Sequence, residues 1–323
     1  MRPPRWIELV PNPDGSYAPR AGPGGDRPRY GLALLLFLLT FACATTLGPV
    51  MVVWSQVGAT TDLDPFLTPR TVAAVWSDPA QLAMGLAFSL TALTILLAHE
   101  LGHYVACRRY GLPCTLPYFL PMPFNFGTLG AFIRIKSPIR TKSELFDVGI
   151  AGPIAGFVAL LPFLVYGVAH SHFATMKPGG AFYKLGHPLA LELLARLFHG
   201  AALPGTRLDL HPVAVGAWLG LFATALNLLP LGQLDGGHIL YAVVGPAQRR
   251  LALPLALLLG GLGFLWQGWW VWCFLLLVLG LFHPPVYDET EPLDGRRKAL
   301  AWLALALLVL SFSPAPIDLV PLR

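Results

Sequence analysis

The stretch LLAHELGHYVAC, residues 96–107, decides the fold. It is apolar enough for a membrane helix, yet it carries Glu100 between His99 and His103. A carboxylate deep in an apolar helix is costly unless it is paired or used. Histidines aside, Glu100 is the only acidic or basic residue between Asp78 and Arg108, so no lysine or arginine within that run can pair with it. Imidazoles at i and i+4 share one helix face, where they can hold a tetrahedral zinc, and the glutamate beside them can take a proton from water. Matches to H-E-x-x-H also arise by chance in soluble helices, so the setting matters as much as the spacing.

The setting is a membrane. The 323 residues are 55% hydrophobic and 12% charged, where soluble domains are roughly 25% charged. A helical span needs about 20 mostly apolar residues, and such stretches lie near 30–54, 82–107, 145–169, 212–229, 251–265, 269–282 and 299–312. The fifth and sixth are short, which leaves room for tilted or re-entrant segments. The expected fold is an all-α polytopic membrane protein of about six to seven transmembrane helices. The expected organisation is a cytosolic N-terminal tail at 1–29, a membrane domain at 30–312 with its core at about 82–245, and a C-terminal tail at 313–323.

Basic residues orient these spans. With the N-terminus in the cytosol, the inner segments hold Arg2, Arg5, Arg20, Arg27, Arg29, Arg108, Arg109, Arg134, Lys136, Arg140, Lys142, Arg249, Arg250, Arg296, Arg297 and Lys298. These are sixteen of the 22 lysines and arginines. The net charge of +5 therefore reads as topology, with the lipid bilayer as partner and no nucleic acid. The first 30 residues lack an apolar core, so no cleaved signal peptide is expected. Glu100 lies eight residues before Arg108, about 12 Å inside the cytosolic end at 1.5 Å per residue.

Two histidines leave a catalytic zinc short of a protein donor. NLLPLGQLDGGH, residues 227–238, offers one. No charged residue lies between Asp209 and Asp235, and the orientation brings Asp235 to the side where H-E-x-x-H lies. Pro230 and Gly232 would break the helix before Asp235, and Gly236 and Gly237 permit a tight turn after it. Broken backbone at membrane depth is tolerated where it lines a cavity. The alternative is a helix-ending turn with a capping aspartate.

Residues 112–137 contain Pro113, Pro117, Pro121 and Pro123, which argue against a helix, and then alternate at Ile133, Arg134, Ile135 and Lys136. They read as a cytosolic-side β-hairpin or re-entrant loop. Gly152 and Gly156 form a G-x-x-x-G spacing suited to close helix packing, and Asp147, near the start of that span, reads as a boundary or helix-start carboxylate rather than a ligand. His238 reads as a packing residue beside the site. His170 and His172 fall at the external end of the third span, where a separate metal site is an alternative to simple surface placement. Residues 189–200, LALELLARLFHG, suit an amphipathic surface helix, and Trp266, Trp269 and Trp270 suggest an interfacial belt. Cys43, Cys107, Cys114 and Cys273 lack a C-x-x-C spacing and read as small packing residues.

HELGH at 99–103 and NLLPLGQLDGG at 227–237 together resemble the two signature motifs of the site-2 protease family, intramembrane zinc metalloproteases built on a core of three or more membrane helices. The resemblance implies one zinc per chain, held by His99, His103 and Asp235. It implies Glu100 as the general base and Asn227 beside the metal, stabilising the oxyanion. Substrates would be transmembrane proteins cut within or near their spans. The commoner family form has a second proline where this chain has Gly232. With GTLGAFIRIKSP (127–138) and LFDVGIAGPIAG (145–156), that departure is most similar to the bacterial and plastid EGY-like branch, without an inserted PDZ domain. The hairpin edge could then pair with unwound substrate as an added strand. A bacterial cytoplasmic membrane is expected, because the N-terminus lacks an organellar transit pattern, and the resemblance leaves a plastid membrane as the alternative. Two other readings stay open: an inactive member that binds helices, and a metal transporter, which would need polar residues continuing across the membrane. Substrate, trigger and oligomeric state stay open as well.

Overall fold

Prolines and capping residues set where the apolar runs become helices. The structure, a computed structural model, describes residues 9–11, 17–19, 29–56, 65–175, 181–201 and 205–321. Most of the expected tail at 1–29, with Arg2, Arg5, Arg20 and Arg27, lies outside the described residues, as do Lys177 and Arg323. Helix α1 spans Tyr30–Gln56, α2 Pro69–Ser77 and α3 Pro79–Arg109. Thr68 and Asp78 cap α2 and α3, each followed by a proline whose missing N–H costs nothing there. Thr141 caps α4 (Lys142–Ala169) by accepting from the Glu144 amide at 3.1 Å. The chain continues through α5 (Leu189–His199), α6 (Pro212–Asn227), α7 (Asp235–Val244), α8 (Gln248–Leu262), α9 (Gly268–Leu279) and α10 (Gly295–Ser311).

Among the described residues, four helical stretches are long and apolar enough to cross a membrane: Tyr30–Gln56, Pro79–Arg109, Lys142–Ala169 and the run Asp235–Leu262, while α6 and α9 are shorter apolar helices. The protein is a mostly helical membrane protein. The expected segment at 251–265 proves to be the second half of a helical run that begins at Asp235, joined by one 3-10 turn at Gly245–Ala247.

Short strands accompany the helices. Among the described residues, eight short strands form four antiparallel pairs: β1 (Leu9–Pro11) with β2 (Tyr17–Pro19), β3 (Tyr118–Pro121) with β4 (Thr128–Phe132), β5 (His172–Thr175) with β7 (Thr206–Asp209), and β6 (Ala181–Leu185) with β8 (Ile317–Pro321). All lie in stretches between or beyond helices, where backbone groups still need partners. The alternating residues 133–136 fall just past β4. They pair with the chain upstream of β3, through Lys136 N–H to the Pro113 carbonyl (2.8 Å) and Thr115 N–H to the Arg134 carbonyl (3.0 Å). The β3–β4 loop lies along α1: Phe119 meets Phe37 edge-on at 5.2 Å. Gly127, with φ +75°, sits where a Cβ would strike the Ala44 backbone.

Helices α3, α4 and α6 share a core that includes Phe88, Phe146, Leu160 and Trp218. The Trp218 indole N–H donates to the Gly186 carbonyl at 2.7 Å. Trp269 is buried rather than interfacial, with its N–H on the Pro314 carbonyl at 2.7 Å. An indole that finds a protein acceptor has no need of a wet interface. The segment 189–200 is helical as expected, with Ala190, Leu191 and Ala195 buried and Leu193 and Leu197 exposed.

Candidate metal centre

The last third of α3 points His99 and His103 toward the start of α7. His99 Nε2 lies 3.1 Å from His103 Nε2 and 3.1 Å from Asp235 Oδ2, and His103 Nε2 lies 3.3 Å from the same oxygen. A tetrahedral zinc with bonds of about 2.0–2.1 Å holds its donors about 3.3–3.4 Å apart. One ion therefore suits all three atoms. Among the described residues, these three form the one such group of His, Cys, Asp or Glu donors.

Helix α4 prepares His103. Pro153 lies inside that helix and cannot donate to the Gly149 carbonyl one turn back. On that turn the Val148 carbonyl accepts from His103 Nδ1 at 2.7 Å. That bond puts the ring proton on Nδ1 and leaves the Nε2 lone pair facing Asp235 and His99. The spacing of Gly152 and Gly156 reads as helix packing, and the structure adds a second role. A Cβ at Gly152 would enter the His103 ring, and one at Gly156 would come within 3.1 Å of the His99 Cβ.

The segment 228–234 places Asp235. Helix α6 stops at Asn227, and Gly232 adopts φ +56°, a left-handed conformation that proline cannot reach. Its N–H donates to the Leu281 carbonyl at 3.1 Å. Gly236 and Gly237, expected to make a turn, instead form the first turn of α7. A Cβ at either would strike backbone carbonyls of the 228–232 segment, so the two glycines let α7 start directly beneath that turn.

Glu100 and Asn227 flank the three donors. Glu100 is 6% exposed, and its carboxylate faces the backbone N–H of Ile133, just past β4. The Asn227 side-chain amide lies 3.3 Å from His99 Nε2. The five residues singled out in sequence thus lie together. His238 does not join them: its Nδ1 bonds His283 Nε2 at 2.7 Å. His170 stacks on Tyr166 at 4.2 Å, with His211 6.1 Å away. Asp147 is no helix-start group. It takes a two-bond ion pair from Arg297 of α10, at 2.8 and 2.7 Å, and a hydrogen bond from the Tyr110 hydroxyl. Burial and then the Asp147 carboxylate push that hydroxyl's pKa up. Sequence reasoning missed the Val148 carbonyl, the Ile133 N–H and His283; Pro153 was the one available signal, marking a turn with a missing N–H beside a G-x-x-x-G.

Two buried histidines and a half-buried carboxylate converging from apolar helices are a donor set suited to a membrane metalloprotein. The chain belongs to peptidase family M50, whose model matches residues 87–255, a span that contains all five site residues. It is 29% identical over 315 residues to the probable zinc metalloprotease EGY1, chloroplastic, of Arabidopsis thaliana, covering 88% of this chain and 53% of that protein. It is 32% identical over 241 residues to the probable zinc metalloprotease EGY2, chloroplastic, of Oryza sativa subsp. indica, covering 71% of this chain and 43% of that one. The chain spans about half the length of these relatives. Both are named as chloroplastic, so they lend no support to the expected bacterial cytoplasmic membrane.

Proposed function

We propose that this chain is a zinc-dependent intramembrane endopeptidase, acting on transmembrane protein substrates within or near their spans. The observation that carries the reading is the donor triangle of His99, His103 and Asp235, with sides of 3.1–3.3 Å, set among apolar helices with both histidines buried and Asp235 half-buried. In this reading the membrane unit is 30–312, with the catalytic core at about 82–245. Zinc held there would polarise the scissile carbonyl and lower the pKa of water. Glu100 takes the proton from the attacking water and passes it to the leaving amine. Asn227, held at the end of α6, directs its amide N–H groups at the oxygen where charge develops. A substrate helix hides its carbonyls in its own hydrogen bonds, so it must unwind first. An unwound segment added as a strand to the β3–β4 loop would lie near Glu100, because the loop passes the base at Ile133.

The proposed topology keeps the N-terminus cytosolic and has seven crossings. Strand β6 follows α4 and strand β8 follows α10, and they pair from Ala181↔Pro321 to Leu185↔Ile317. That pairing supports an even number of crossings between them: α6, α8, α9 and α10.

The test is zinc content together with cleavage of a panel of single-span substrates, comparing wild type with Glu100→Gln. Zinc retained with cleavage lost supports a protease with Glu100 as base. Wild type that binds zinc and cuts nothing in the panel favours the helix-binding reading, and wild type without zinc overturns the assignment.

A further inference from the structure

The seam of α3 and α4 that faces away from the core holds a cavity of about 760 Å³. Its walls are Ala98, Leu101 and Val105 of α3, Ile150 and Ala155 of α4, and Leu300 of α10. Leu101 and Val105 are 40% and 64% exposed, so the cavity opens sideways to whatever surrounds the helices. At one end the lining turns polar, with Arg109, Tyr110 and Asp147. From Ala98 to Arg109 the groove follows α3 for about 16 Å.

The polar end is asymmetric in charge. The Asp147 carboxylate is already neutralised by Arg297. The Arg109 side chain is exposed and makes no ion pair among the described residues. Arg296 lies one turn before Leu300 on α10 and is exposed as well. The groove therefore offers an apolar channel at bilayer depth that ends in spare positive charge at the level where α3 leaves the membrane.

We propose that this groove is a binding site for an anionic phospholipid, with one acyl chain lying along Ala98–Val105 and the phosphate at Arg109. The cavity volume falls within the roughly 300–1,000 Å³ of specific small-molecule sites. The Arg297–Asp147 pair keeps the carboxylate in the lining from repelling the phosphate. The site stands apart from the metal centre and does not depend on its being catalytic.

The test uses the full chain in nanodiscs with phosphatidylglycerol or phosphatidylcholine carrying a photoreactive acyl chain. Cross-linked peptides are mapped by mass spectrometry. Phosphatidylglycerol should label residues 98–105 in preference to phosphatidylcholine. Arg109→Gln should weaken phosphatidylglycerol labelling about fivefold, the worth of one basic contact to an anionic lipid, and leave phosphatidylcholine unchanged. Val105→Trp, which fills the groove from its exposed wall, should abolish the preference without changing zinc content. Equal labelling by the two lipids would mean an ordinary boundary layer and overturn the proposal. So would an undiminished phosphatidylglycerol signal in Arg109→Gln, or capture of a single-span protein at Val105 in place of lipid.

Discussion

Replacing Gly152 with alanine tests the metal centre without touching a donor. The new Cβ would lie 2.5 Å from both Cδ2 and Cε1 of His103, whereas carbon atoms rest at about 3.5–4.0 Å. The ring must therefore move by about 1 Å, five times the roughly 0.2 Å that a metal–ligand bond tolerates. It has little freedom to do so. Its Nδ1 is tied to the Val148 carbonyl on the same helix as Gly152. Separating α3 from α4 is resisted where Gly102 abuts the Ala151 carbonyl. Overpacking of this kind costs about 1–3 kcal/mol of stability. Disturbing a group that orients a ligand weakens metal binding about 10–100-fold, and displacing the ligand itself should reach the upper end of that range. Competition with a zinc-selective fluorescent chelator in detergent measures it. Gly260→Ala is the control, since its Cβ would meet only the Cys273 sulfur, at 3.9 Å. If Gly152→Ala held zinc within threefold of wild type, the placement of His103 as a donor against α4 would be refuted.

Three further substitutions probe the supporting structure. Gly232→Pro, which restores the commoner form of the motif, should destabilise this chain by about 3 kcal/mol or more, because φ +56° is closed to proline and the N–H to Leu281 is lost. A thermal melt no lower than wild type would contradict this. Arg297→Ala leaves Asp147 and Tyr110 without their cation and should cost about 1–3 kcal/mol, with faster proteolysis between α9 and α10; an unchanged melting temperature would show the pair to be ornamental. Ile133→Pro removes the N–H that faces Glu100, so cleavage of a helical substrate should fall at least tenfold while zinc content holds. Equal activity would sink the strand-addition idea.

The sequence made the cluster of candidate donors legible because they sit in local patterns. His99 and His103 share a helix face by spacing alone, and the absence of neighbouring charge marks Glu100 and Asp235. The long-range partners were invisible. Asp147 and Arg297 lie 150 residues apart, and no period in either segment announces the ion pair. Gly236 and Gly237 look like turn residues by propensity, yet tertiary packing makes them a helix start, since only glycine clears the backbone above. The β5–β7 and β6–β8 pairs are short and non-local, so neither alternation nor turn chemistry could reveal them. Trp269 shows the same limit: its apolar neighbourhood suggests an interface, and only the distant Pro314 carbonyl explains its burial.

The pairing of β6 with β8 has a consequence for biosynthesis. Everything from α5 to α10 lies between the two strands, so the ribosome completes β8 only after all of it has been synthesised. On the proposed topology, with four crossings between them, failure of one crossing to insert would leave the two strands in different aqueous compartments, where they could not meet. Closure of this small clasp thus reports the parity of membrane insertion, and a quality-control protease would find a loose 317–321 segment only on chains threaded with the wrong number of crossings.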